Sequence, residues 1–315
     1  MGTCDTADTD IADISSDILH HWSKKSKLSL PSISELPGLL NTPIPHAEKI
    51  PLSRTDFDSL LSTALETTDF CFGADVETLF RVSDTENSPV LYLLFYNAVA
   101  RPPPPDDGTE GSFISFWDDN VRKILELLVP SGKSIRDSNH HTYTKKLRPD
   151  YGFLLDNVCA FRGEEKSPTN RDDPKAELSD KLTWVYSPAP YVFGEHNYSC
   201  VCAFYSLLLS PSRLGYHAIG ANLTLAAICA PPAPSQMPFV QDLASANLGR
   251  KRDRIANLCR LINLFPYLHP LLKLIGFRDA PEFTVIQRYV LSTVLSSLGY
   301  LSSLIAGTAS PWKSG

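Results

Sequence analysis

The stretch Arg148-Pro-Asp-Tyr-Gly-Phe-Leu-Leu-Asp-Asn-Val-Cys-Ala-Phe-Arg-Gly-Glu-Glu-Lys166 constrains this chain more than any other. It reads as two short strands joined by an Asp-Asn turn, whose residues tolerate the left-handed conformation a tight reversal needs. A connection over 156–158 pairs Leu155 with Cys159, Phe153 with Phe161 and Asp150 with Glu164. One face is then apolar, with Phe153, Leu155, Cys159 and Phe161. The other carries Asp150, Gly152, Ala160, Arg162, Glu164 and Lys166, with Leu154 as its one large apolar member. A connection shorter by one residue would send Asp150 and Glu164 to opposite faces and mix the pattern, so alternation favours the register that brings them together.

Two carboxylates facing each other at about 5 Å across a strand pair repel. A divalent ion such as Mg²⁺ removes that penalty, because it prefers hard oxygen ligands and keeps several waters (Mn²⁺ serves as well). The metal lowers the pKa of a bound water and stabilises charge on a phosphate. Lys166 shares the face of Asp150 and Glu164, where its ammonium can orient the attacking water or neutralise a developing oxyanion. Glu165 points to the other side. Glu126, late in the preceding helix, is the best-placed additional metal ligand, with Asp118 and Asp119 as alternatives nearer the start of that helix. The pattern points to phosphodiester hydrolysis.

Around this segment the chain alternates helical and extended signals. Ser53 precedes a helix as an N-cap, and 89–100 is a near-continuous apolar run, helix or strand. Phe113, Phe116, Trp117, Val121, Ile124, Leu125 and Leu128 recur at helical spacing until Pro130. Asp173-Pro174 opens another helix. Residues 198–208 and 222–230 read as strands, and a basic helix runs from Gly249 to Phe265. Such an order builds a mixed sheet with flanking helices.

With 315 residues, 43% of them hydrophobic, the chain can bury a core without disulfides. Its seven cysteines have no framework spacing and read as reduced thiols. A net charge of −6 argues against coating nucleic acid by bulk charge and leaves room for a local basic groove. Arg148, Arg162, Lys145, Lys146, Arg250, Lys251 and Arg252 are the candidate nucleic-acid contacts. The N-terminus has no basic and apolar signal-peptide pattern. The uncharged run 289–309 is read as a core helix or aberrant tail rather than a membrane span, given its Ser, Thr and Gly content.

From about Ser115 to Gln287 the chain resembles the nuclease-like portion of the Crinkler proteins of oomycetes and fungi. The resemblance is carried by Ser115-Phe-Trp-Asp118, Gly132-Lys-Ser-Ile-Arg136, Arg148–Asp156, Val158–Lys166, Asp173-Pro-Lys-Ala-Glu-Leu178, Lys181-Leu-Thr-Trp184 and Arg250–Leu258. It implies an α/β fold of the restriction-endonuclease-like PD-(D/E)XK kind, with Asp150, Glu164 and Lys166 as motif residues. It implies DNA as partner and a nuclear site of action, with a host nucleus reached after secretion as a variant of that reading; a homodimer is compatible with it. Residues 1–52 are then expected as a loosely ordered segment with a short helix near 13–23. Residues 53–265 form the nuclease-like domain and 266–315 a helical tail. No Gly-rich loop, strand lysine, His-Arg-Asp or Asp-Phe-Gly signature supports kinase activity. The alternative from a different class is a catalytically silent module of the same fold that binds nucleic acid or protein.

Overall fold

A computed structural model describes residues 12–25, 29–62, 72–136, 149–155, 158–180, 191–195, 215–231, 236–268 and 270–271. The N-terminal part contributes β1 (Ala12–Asp13), α1 (Ser15–Lys24), α2 (Leu36–Leu40), β2 (Ile50–Leu52), α3 (Arg54–Ser62), α4 (Phe72–Leu79), β3 (Phe80–Val82) and β4 (Glu86–Asn87). Ser53 caps α3 as expected, its Oγ accepting the Asp56 N–H at 3.1 Å. The expectation of loose chain over 1–52 is corrected for the described residues. Trp22, Leu36, Leu40, Ile50 and Leu52 are buried in the common core, and Asn263 on the last helix donates to the carbonyls of Leu40 and Thr42. A few large apolar side chains suffice to anchor a polar stretch when an existing core covers them.

The apolar run becomes α5 (Pro89–Ala100), started by Pro89 at its first turn and ended before Pro102. The next helical stretch comprises α6 (Glu110–Trp117), a π-helical turn over 118–122, and α7 (Lys123–Leu128). Its expected apolar stripe, from Phe113 to Leu128, is buried throughout. The π turn widens the helix by one residue and leaves both Asp118 and Asp119 buried.

Seven described strands form one mixed sheet: β5 (Lys133–Arg136), β6 (Tyr151–Leu155), β7 (Val158–Lys166), β8 (Tyr191–Glu195), β9 (Gly215–Ile219), β10 (Asn222–Cys229) and β11 (Phe239–Asn247). Their order is β11-β10-β8-β7-β6-β5, with β9 alongside β7. β7 is central. It pairs antiparallel with β6, and parallel with β8 at Phe161 and with β9 from Gly163 to Lys166. α8 (Pro174–Asp180) follows β7, capped by Asp173, whose Oδ1 accepts the Lys175 N–H at 2.8 Å. α9 (Lys251–Leu264) packs against α4, α2 and α5. Arg254 on α9 is buried without a carboxylate partner among the described residues. It donates to the carbonyls of Leu248, Val99 and Arg101 and lies 5.0 Å over the Phe116 ring.

The sequence reading of β10 and α9 agrees with the structure, whereas β5, β8, β9 and β11 went unread. Residues 198–208 and 289–309 lie outside the described residues. Among the described residues no helix is long and apolar enough to cross a membrane.

Candidate functional site

The β6–β7 hairpin sets the geometry. Phe153 pairs with Phe161, as alternation requires. The pairing nearer the turn differs from expectation, because Leu155 pairs with Val158 and Leu154 with Cys159, so only residues 156–157 connect the strands. A bulge at Ala160 inserts the missing residue and restores the register beyond it. Tyr151 then sits opposite Gly163, which brings Asp150, just before the strand, level with Glu164.

Each face of β7 carries its own ionic group. On one, Lys166 Nζ lies 3.2 Å from Asp150 Oδ2 and 3.2 Å from Glu177 Oε2 of α8. The side chains of Asp150 and Glu177 are each 25% exposed, while Glu164 is fully buried and Lys166 nearly so. The carboxylates thus form the solvent edge, with the ammonium beneath. Burial alone would lower the pKa of Lys166. The charges of Asp150, Glu164 and Glu177 outweigh it and hold the ammonium above the usual lysine range.

On the opposite face, Arg136 of β5 stands between two acids. Its Nε donates to Asp118 Oδ1 at 2.7 Å, and its Nη2 to Glu165 Oε1 at 2.9 Å, while Nη1 reaches Glu165 Oε2. This is a two-point fork on a carboxylate that is 1% exposed. The guanidinium also lies 5.3 Å over the Tyr151 ring, and Arg122 pairs with Asp118 at 3.0 Å. The backbone joins the two groups, because Glu165 N–H donates to Asp150 Oδ2 at 2.9 Å.

Gly220 braces the end of β7. Its N–H donates to Lys166 O at 2.9 Å, and its carbonyl accepts the Trp117 indole N–H at 2.8 Å. Its φ of 57° suits glycine, and an added Cβ would stand 2.5 Å from Pro168 Cγ.

Asp150 and Lys166 therefore meet, with Glu164 close enough to act on the lysine's charge. Glu126 pairs with Arg122 at 3.9 Å, and the helix acid that reaches the strands is Asp118, through Arg136. Arg162, expected as a surface contact, is buried at 1% exposure because β7 is covered along the described part of its length; that role is corrected. Arg250, Lys251 and Arg252 open α9, with Arg252 Nε 3.8 Å from Asp75. Lys145, Lys146 and Arg148 lie outside the described residues. Sequence reasoning missed Glu177 and Arg136. Both lie in segments that the resemblance singled out, yet no local pattern distinguishes their side chains from ordinary surface charges.

A cavity of about 420 Å³ lies elsewhere, lined by Leu40, Ile44, Lys49, Ala74 and Arg260 among others, and shares no residue with this group. Among the described residues, no three His, Cys, Asp or Glu side chains are arranged to hold a metal ion. Asp150 and Glu164 are the two carboxylates at this strand end that could ligate a hard divalent ion, and Asp150 now holds the Lys166 ammonium in that place.

The chain is 40% identical over 122 residues to Crinkler effector protein 8 of Phytophthora infestans. The match covers 38% of this chain, which spans only 20% of that protein. No family model matches the chain, and no solved structure matches it.

Proposed function

We propose, from its likeness to a Crinkler effector over 122 residues, that this is a Crinkler-type chain in which Asp150, Glu164 and Lys166 form the centre of a Mg²⁺-dependent nuclease, with DNA as substrate. The observation that carries the reading is the contact between Lys166 and Asp150, which the β6–β7 hairpin brings to one strand end beside Glu164. When bound, the metal would supply an acidified water and a positive charge for the phosphate. The chain's own residues do the rest. The Glu165 N–H fixes the Asp150 carboxylate. Lys166, kept charged by its carboxylates, places a positive charge where the attacked phosphate gathers negative charge. Asp150, a quarter exposed, is the group through which substrate and ion approach. A restriction-endonuclease-like fold, a nuclear site of action and delivery to a host belong to the same proposal, and rest on the resemblance.

A second reading draws on burial. Glu164 at 0% exposure and Lys166 at 6% suit a module that has kept the fold and binds without cutting. Plasmid cleavage with Mg²⁺ or Mn²⁺ decides between them. The nuclease reading expects cleavage by the unmodified protein and its loss in Asp150→Ala and Lys166→Ala. Equal behaviour of all three proteins would sink it, and retention of DNA without cleavage would favour the binding module.

A further inference from the structure

Glu177 belongs to no motif assigned above, yet it is as close to Lys166 as Asp150 is, at 3.2 Å. Building on the metal reading just proposed, we infer that Glu177 is a positioning residue that takes the Lys166 ammonium when a divalent cation occupies Asp150.

The reasoning is electrostatic. Asp150 Oδ2 accepts from the Lys166 ammonium in this structure. An ammonium and a divalent ion sharing one carboxylate repel, so binding the ion drives Lys166 away from Asp150. Lys166 is 6% exposed and cannot withdraw into bulk water without local opening. A buried cation that loses its counter-ion is strongly disfavoured. Glu177 removes that obstacle, because it already contacts the ammonium from α8. Its helix is fixed at the start by the Asp173 cap and packs on β7. Glu177 therefore does two things: it lowers the cost of admitting the cation, and it keeps Lys166 within reach of the phosphate.

The test is Ca²⁺ binding by calorimetry on the full chain without nucleic acid, so that no turnover enters the readout. The unmodified protein is expected to bind Ca²⁺ and Asp150→Asn to lose it. Glu177→Gln should weaken binding about tenfold, a typical coupling for side chains in contact. A remote negative charge would weaken cation binding too, so the cycle is completed in a Lys166→Met background. There Glu177→Gln should change affinity by less than about twofold, because the ammonium it positions is gone. If Glu177→Gln unfolds the chain, Glu177→Asp, which draws the carboxylate back by one methylene, carries the same expectation. Unchanged affinity in Glu177→Gln, or equal weakening in both backgrounds, overturns the inference and leaves the metal reading standing. Absence of Asp150-dependent Ca²⁺ binding in the unmodified protein overturns both.

Discussion

Arg136→Met tests whether the face of β7 opposite Lys166 is a structural prop. Arg136 forks onto Glu165 and also holds Asp118 Oδ1. Glu165 is 1% exposed, the Asp118 side chain 11% and the Arg136 side chain 19%, so solvent screening is weak. An exposed ion pair contributes about 0–1 kcal/mol. Removing one partner of a buried pair costs about 3–5 kcal/mol, mostly through the charge left behind. Asp118 retains Arg122 at 3.0 Å, so the loss falls chiefly on Glu165, and about 3 kcal/mol is the expected cost. Methionine keeps much of the length and apolar bulk of the arginine stem, which limits any cavity contribution. Urea unfolding of the two proteins, compared at equal m-value, reads the difference. The double variant Arg136→Met/Glu165→Met should recover all but about 1 kcal/mol, since an apolar pair of similar volume can replace a buried ion pair. A single-variant loss below about 1 kcal/mol would place the pair with the weak surface class. A double variant no more stable than the single one would refute the assignment of the loss to the Glu165 charge.

Two further outcomes follow from the same geometry. Gly220→Ala, at φ 57° and with its Cβ 2.5 Å from Pro168 Cγ, should cost about 1–3 kcal/mol and lower the melting temperature; an unchanged melt would mean that the turn does not brace Lys166. Burial pushes the Cys259 thiol up to about 11 from an ordinary 9.0. Its raised folded pKa means that its stabilising contribution is complete below pH 9 and is lost as pH rises through 11, to a limit of about 2–3 kcal/mol. Urea midpoints across that window should fall less steeply in Cys259→Ala than in the unmodified protein, and parallel profiles would contradict the assignment.

The sequence made the elements with strong periodicity legible. The helical stripe from Phe113 to Leu128, the Ser53 and Asp173 caps and the Phe153–Phe161 pairing needed no tertiary knowledge. The elements that escaped depend on their neighbours. β5 is a short edge strand, Lys133–Arg136, whose pairing with β6 owes little to its own apolar content. β11 is the other edge, with an irregular burial pattern behind a Pro-rich run. The π turn has no sequence signature, and it alone explains how the consecutive residues Asp118 and Asp119 are both buried, one turned to Arg136 and the other to Arg101 and Lys123. Hence Asp118, weighed as a helix-start dipole residue, is a buried anchor, and Glu126, favoured by its position, pairs within its own helix. The Ala160 bulge shows a compensating error: the turn was read one residue too long, and the inserted residue made up the difference.

The two faces of β7 differ in role. On the Arg136 side, among the described residues, Asp118 and Glu165 meet Arg136 and Arg122, and Arg122 also pairs with Glu126. That side reads as a structural network. On the Lys166 side, the ammonium feels three carboxylates, Asp150, Glu164 and Glu177. Of these, Asp150 and Glu177 are partly exposed and form the edge toward solvent. Segments scattered from Ser115 to Leu178 converge on this asymmetry. Trp117 and Gly220 fix the end of β7, Arg136 fixes Glu165, Glu165 fixes Asp150, and the Asp173-capped helix brings Glu177 to Lys166. Under the proposed metal reading, Arg136 props one face of β7, and the partly exposed acids of the other face are the groups that would meet an incoming cation.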